Sequence, residues 1–203
     1  KEAKPRPNEH RAPTSVSNKL WARKVCRSNW ESNKSQAFFT FLAMTRRFAT
    51  RVCQILGVEH PIIMGGMTGV GTPELAAAVS NAGGLGIFAA HNAGTPEDCR
   101  AWIERTKKLT SKPFGVNLTI LPSIGPPPPY EEYAKVIIES GVRIVETAGS
   151  NPKKWIPLFK NAGLISIHKC VTIRHALSAE KLGVDIISLD GFECAGMLLA
   201  CAL

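Results

Sequence analysis

Pro61-Ile-Ile-Met-Gly-Gly-Met67, with Thr68-Gly-Val-Gly71 and Pro73-Glu-Leu-Ala-Ala-Ala-Val-Ser-Asn-Ala-Gly83 behind it, is the stretch on which the fold turns. A short apolar run ends in two glycines and a methionine, a turn follows, and then a helix begins. Such a run suits a strand buried on both faces, as in a parallel sheet. Glycine at its C-terminal end lets the backbone approach a ligand, because no Cβ stands in the way. The pattern predicts a strand over 62–66 and a helix over 73–82, with Thr72 as N-cap and Pro73 in the first turn.

Downstream, the same plan repeats. Gly83-Gly84 closes the first helix, and strands are predicted over 85–90, 114–120, 143–147, 164–170 and 184–190. Between them fall helices opened by Thr95-Pro-Glu-Asp98 and running to about Leu109, over 130–140, over 152–161 with Asn151 as cap, and over 172–182. Pro126-Pro-Pro-Pro129 excludes both helix and central strand. Alternating strands and helices imply a parallel sheet with right-handed crossovers.

An open doubly wound sheet and a (β/α)₈ barrel both satisfy that alternation. Two features favour the barrel. Polar or glycine residues end nearly every strand: Gly65 and Gly66, Asn117, Glu146, His168 and Lys169, and Asp190. A barrel gathers its site from many strand ends on one face, whereas an open sheet uses one switch point. The second feature is Gly83-Gly-Leu-Gly86, which lies between helix and strand and so runs the wrong way round for a dinucleotide fingerprint. The expected fold is α/β, a partial (β/α)₈ barrel with about six parallel strands.

Upstream the texture differs. Residues 1–51 hold twelve Lys/Arg against three Asp/Glu, so the chain's net charge of +9 belongs there and the remainder is neutral. Residues 1–43 lack any sustained period and are expected to be a disordered or non-native basic extension, with the folded domain over 44–203. Three readings stand for that extension. Translation could start at Met44; an Arg-rich, acid-poor segment could address mitochondria; or Trp21, Trp30 and the arginines could contact nucleic acid. The first is preferred, with no nucleic-acid partner and a cytoplasmic location. The six cysteines show no CxxC pair and no regular framework, which argues against a zinc site or disulfide scaffold. No apolar run approaches the ~20 residues needed to span a bilayer, so no membrane partner is expected.

The segments Pro61–Met67, Glu74–Gly86, Phe114–Leu118, His168-Lys-Cys170 and Asp190-Gly-Phe-Glu-Cys-Ala-Gly196 together resemble the nitronate monooxygenases, formerly 2-nitropropane dioxygenases. The resemblance runs from about Val52 to Gly196. It implies an FMN-dependent TIM-barrel enzyme that oxidises alkyl nitronates to carbonyl compounds and nitrite with O₂. A related branch of the same fold, the flavin-dependent enoyl-acyl-carrier-protein reductases, stays open as an alternative, as does a non-catalytic truncated isoform. On the resemblance, Gly65, Gly66 and Met67 lie along the isoalloxazine ring and Asn117 lies near it. Lys169 contacts FMN, and Asp190, Ala195 and Gly196 border the cofactor. For Lys169 the residue itself agrees, since a lysine in an apolar strand needs an anion or acceptor. His168 is expected to face the helices, His175 the surface, and Cys170 and Cys194 to be inert thiols without a neighbouring base.

The pattern departs from the family at one position. Where the family has the histidine proposed as general base, this chain has Met197, and a thioether accepts no proton at neutral pH. No catalytic residue is therefore assigned. The tail after Met197 resembles neither the family nor a further strand, and the FMN phosphate in such barrels sits after strands 7 and 8. The chain is accordingly expected to be truncated, with impaired activity and weak or absent FMN binding.

Overall fold

The computed structural model describes residues 48, 50–121 and 127–191. The basic extension, Ala195, Gly196 and Met197 lie outside these residues. The order of elements is α1 (Arg51–Leu56), β1 (Ile63–Met64), α2 (Pro73–Asn81), β2 (Leu85–Ala89), a 3₁₀ turn (Ala90–Ala93), α3 (Pro96–Leu109) and β3 (Phe114–Ile120). Then come α4 (Tyr130–Glu139), β4 (Ile144–Gly149), α5 (Trp155–Asn161), β5 (Ile165–Cys170), α6 (Ile173–Lys181) and β6 (Ile186–Leu189).

The six strands form one parallel sheet in the order β1-β2-β3-β4-β5-β6. With right-handed crossovers, an order that never reverses places every crossover helix on the same face. The other face must curl upon itself, which makes the sheet part of a barrel rather than a doubly wound sheet.

The core divides accordingly. Phe88, Val116, Leu118 and Val145 point outward and pack with Ala76, Cys99, Ile103, Tyr133, Ile137, Trp155 and Phe159 of the helices. Leu85, Ile87, Ile144 and Ile167 point inward and pack with Ile63, Ile165, Ile186 and, from the α1 side, Leu56. Each fully buried aliphatic side chain of this inner layer contributes about 1.5–3 kcal/mol by burial.

Local signals explain most element ends. The side chains of Thr72, Thr95 and Thr172 accept from the backbone N–H of Leu75, Asp98 and His175, capping α2, α3 and α6. The expected cap at Asn151 is not one. Its Oδ1 accepts from Lys153 N–H at 3.0 Å, a local turn, and α5 starts later with Lys154 in the cap position and no side-chain bond. In the second glycine cluster, Gly83 (φ +93) ends α2 and Gly86 lets that helix lie directly on β2. A Cβ on Gly86 would stand 1.9 Å from the Ala76 carbonyl oxygen.

Candidate functional site

Strand geometry converts apolar to polar on the inner face two residues at a time. Side chains alternate across a strand, so Ile144 and Glu146 share a face, as do Ile167 and Lys169, and Gly115 and Asn117. Asn117 and Glu146 are register partners across β3 and β4. Lys169 lies two residues beyond Ile167, the partner of Glu146, and Asp190 lies two beyond Ser188, the partner of Lys169. This diagonal climb is the stagger of a barrel. It carries the polar residues into one cluster above the apolar layer.

Glu146 is the hub. It is 2% exposed, and its Oε2 accepts from the Gly66 N–H at 2.9 Å and from Asn117 Nδ2 at 2.6 Å. Asn117 is itself oriented, because its Oδ1 accepts from Thr119 Oγ1 at 2.7 Å. The Lys169 ammonium pairs with Asp190 Oδ2 at 3.4 Å. Burial pushes the Glu146 carboxyl above the ordinary carboxylate range, against the Gly66 N–H, the Lys169 charge and the Asn117 amide, which pull it down; Asp190 adds to the rise.

Both glycines of the first strand end pack against this cluster. A Cβ on Gly65 would lie 3.2 Å from Glu146 Oε1 and 3.8 Å from Lys169 Nζ. A Cβ on Gly66 would lie 2.3 Å from Asn117 Cβ, closer than two carbons can come. Gly65, Gly66, Asn117, Lys169 and Asp190 are thus brought together. Met67 is not part of the cluster: it is 38% exposed and opens the following loop.

That loop is held by a residue to which sequence reasoning assigned no role. Asn92, in the 3₁₀ turn after β2, accepts from the Gly69 N–H at 2.9 Å through Oδ1. Its Nδ2 donates to the carbonyls of Met67 at 2.8 Å and Gly71 at 3.0 Å. Polar asparagines after strands are common, and nothing local marks this one.

His168 faces away from the cluster. It is buried, with Nδ1 2.9 Å from Thr147 Oγ1, and burial holds its pKa below the ordinary value. His175 is exposed. Burial raises the Cys170 thiol pKa, with Asp190 as a second cause. Among the described residues no group of three His, Cys, Asp or Glu could hold a metal ion, and no helix is long and apolar enough to cross a membrane.

Comparison with known proteins identifies the family of the chain. The profile of the family described as Nitronate monooxygenase matches residues 49–199. A nitronate monooxygenase of Pseudomonas aeruginosa is 52% identical over 75 residues, which are 37% of this chain and 20% of that protein. A (3aS,4S,5R,7aS)-5-hydroxy-7a-methyl-1-oxo-octahydro-1H-indene-4-carboxyl-CoA dehydrogenase of Rhodococcus jostii is 33% identical over 147 residues, 72% of this chain and 40% of that one. The solved structure of FabK from Thermotoga maritima superposes with a TM-score of 0.62 at 41% identity, over 68% of this chain and 42% of FabK. The chain therefore spans about two-fifths of the length of the last two.

Proposed function

The chain belongs to the nitronate monooxygenase family, and from that premise we propose that its strand ends form the flavin-facing part of an enzyme that binds FMN and oxidises alkyl nitronates to carbonyl compounds and nitrite with O₂. The observation that carries this reading is the convergence of Gly65, Gly66, Asn117, Lys169 and Asp190 at one end of one sheet. The family is a group of flavin-dependent oxidoreductases. The folded domain is proposed to begin at residue 44, shortly before the family match at residue 49.

The residues present fit a flat heterocycle rimmed by hydrogen-bonding atoms. Gly65 and Gly66, half-buried just after β1, leave their Cβ space to the Glu146, Lys169 and Asn117 side chains, so that a cation and an oriented amide stand close beside the strand end. Gly65, Gly66 and Met67 would lie along such a group, with Asn117, Lys169 and Asp190 around its polar rim and Ala195 and Gly196 extending that border. A flavin held by these residues would supply the redox chemistry between the nitronate and O₂. Lys169 contributes a positive charge that attracts an anionic substrate and is held in place by Asp190. Asn117 presents its amide in one orientation, because both ends already have partners. No residue is assigned as general base, and a nitronate, being already deprotonated, needs none to begin.

Titrating FMN into the 203-residue chain and following its fluorescence tests the proposal. Weak but saturable quenching that Lys169→Ala abolishes is the expected result, with nitrite released when propyl 2-nitronate and O₂ are added. Absence of saturable quenching removes the flavin reading for this chain. A second reading, oxidoreduction of an acyl thioester, is favoured by the relative named for a carboxyl-CoA substrate. Turnover of an enoyl thioester without nitrite release from the nitronate would select it.

A further inference from the structure

Glu146 stands in the middle of the site, yet the chemistry above assigns it no step. Its surroundings define what it can be. Both of its hydrogen bonds fall on Oε2 and both come from uncharged donors, the Gly66 N–H on the β1 end and the Asn117 amide on β3. A carbonyl-type oxygen has two lone pairs and satisfies both. Oε1 is left toward Gly65. The charged groups that face the carboxyl are Lys169 from β5 and Asp190 from the end of β6, and these two pair with each other at 3.4 Å. An ionised Glu146 would leave the mouth with two negative charges against one positive. A protonated Glu146 leaves it balanced.

We propose that Glu146 is a positioning residue that holds the Gly66 backbone and the Asn117 amide as a neutral carboxylic acid, so that the mouth beside Lys169 accepts an anionic ligand. The identity of that anion as a nitronate rests on the function proposed above; the proton on Glu146 does not. Oε2 acts as the shared acceptor, Oε1 carries the proton, and the 2% exposure of the residue opposes its ionisation. An anion entering next to Lys169 then meets no repelling charge on β4. As the pH rises through the Glu146 pKa, the carboxyl ionises and the mouth turns against the anion.

The sign of the stability effect follows from linkage. A carboxyl whose folded pKa lies above its unfolded value contributes stability that is fully present below the unfolded pKa. That contribution is lost as the pH rises through the folded pKa. Glu146→Gln keeps an acceptor oxygen for both donors and cannot ionise. Glu146→Ala removes the acceptor and leaves both donors buried without it.

The test compares the full 203-residue chain with these two variants. The Gly66 amide resonance is followed by ¹H–¹⁵N NMR against pH, and melting temperatures are recorded over the same range. In the parent chain, the Gly66 resonance is expected to titrate above the ordinary carboxylate range while the melting temperature falls. In Glu146→Gln the Gly66 titration is absent, the fall in melting temperature over that pH range is smaller than in the parent, and the melting temperature in alkaline buffer equals or exceeds that of the parent. If Glu146→Gln instead drops to the level of Glu146→Ala, the negative charge was needed and the proposal is overturned. A Gly66 resonance that titrates in the ordinary carboxylate range also overturns it. Should Glu146→Ala not fold, the comparison of Glu146→Gln with the parent decides alone. With the FMN-loaded chain, the Kd for propyl 2-nitronate is expected to rise by up to about tenfold per pH unit above the Glu146 pKa, and to stay level in Glu146→Gln. A chain that takes up no FMN defeats the proposed function, while the amide titration and the melts still decide the state of Glu146.

Discussion

The lower and upper halves of the inner face are built on the same strands and do opposite things. Below, Leu85, Ile87, Ile144 and Ile167 exclude water and bind the strands to α1 and to one another. Above, two residues further along β4 and β5, Glu146 and Lys169 succeed Ile144 and Ile167, and Asn117 and Asp190 join them to supply donors, acceptors and charge. The lower layer needs only volume and apolarity. The upper layer needs partners for every polar atom, because an unpaired buried group costs about 1–3 kcal/mol. The bulk of the burial energy and the polar chemistry are thus separated by one strand repeat.

The largest effect is expected below. Ile144→Ala or Ile167→Ala opens a cavity in the inner layer and should cost about 2–5 kcal/mol, measured by denaturant unfolding. A loss well under that range would mean that the layer is not a close-packed unit. Gly66→Ala tests the upper layer. Its new methyl collides with Asn117, and the expected cost is about 1–3 kcal/mol, together with loss of FMN quenching beyond what the destabilisation explains. If quenching survived unchanged, the Gly66–Asn117 contact would be irrelevant to the proposed site.

Smaller again is Asn92→Ala, which removes three bonds to the loop from Met67 to Gly71. Global stability should fall by about 1–2 kcal/mol, while the Gly69 amide exchanges much faster with solvent. Exchange at Gly69 that stays slow would show the loop to be held by something else. The smallest effect belongs to the helix side of the sheet. The Cys99 thiol is pushed up to about 12, by burial first and against the Arg100 charge. It should therefore resist iodoacetamide at neutral pH until the chain unfolds, as mass spectrometry of the labelled peptide would reveal.

The division between these layers was only partly legible in the sequence. Strand and helix alternation, the openings at Thr72 and Thr95 and the barrel class all follow from short-range pattern, and they hold in the structure; Thr172, read as the first residue of its helix, is instead the cap. Short-range pattern failed at Asn151, where a cap-like residue makes a turn instead. It also missed α1, whose sequence Arg51-Val-Cys-Gln-Ile-Leu56 is too short to show a period, although Thr50 accepts from Cys53 N–H and Gly57 ends it at φ +70. Glu146 is visible as a polar strand end, but its role depends on register with β3 and on a loop 80 residues earlier in the chain. Asn92 depends on a loop 25 residues earlier for its Met67 bond. Such pairings are properties of the sheet, and no window of sequence contains them.

The unreversed strand order has a consequence for how the molecule is made. Each strand pairs with the strand synthesised just before it, as Gly115 does with Gly86's neighbour Ile87 and Ile165 with Ile144. Among the described residues no strand must wait for a distant partner, so loop-closure entropy is met in small, similar steps. A chain emerging from the ribosome can dock each strand and its helix onto the growing edge in turn. The polar cluster follows a different schedule. Gly66 and Asn117 are present early, Glu146 joins when β4 docks, and the Lys169–Asp190 pair closes only after β6 is in place.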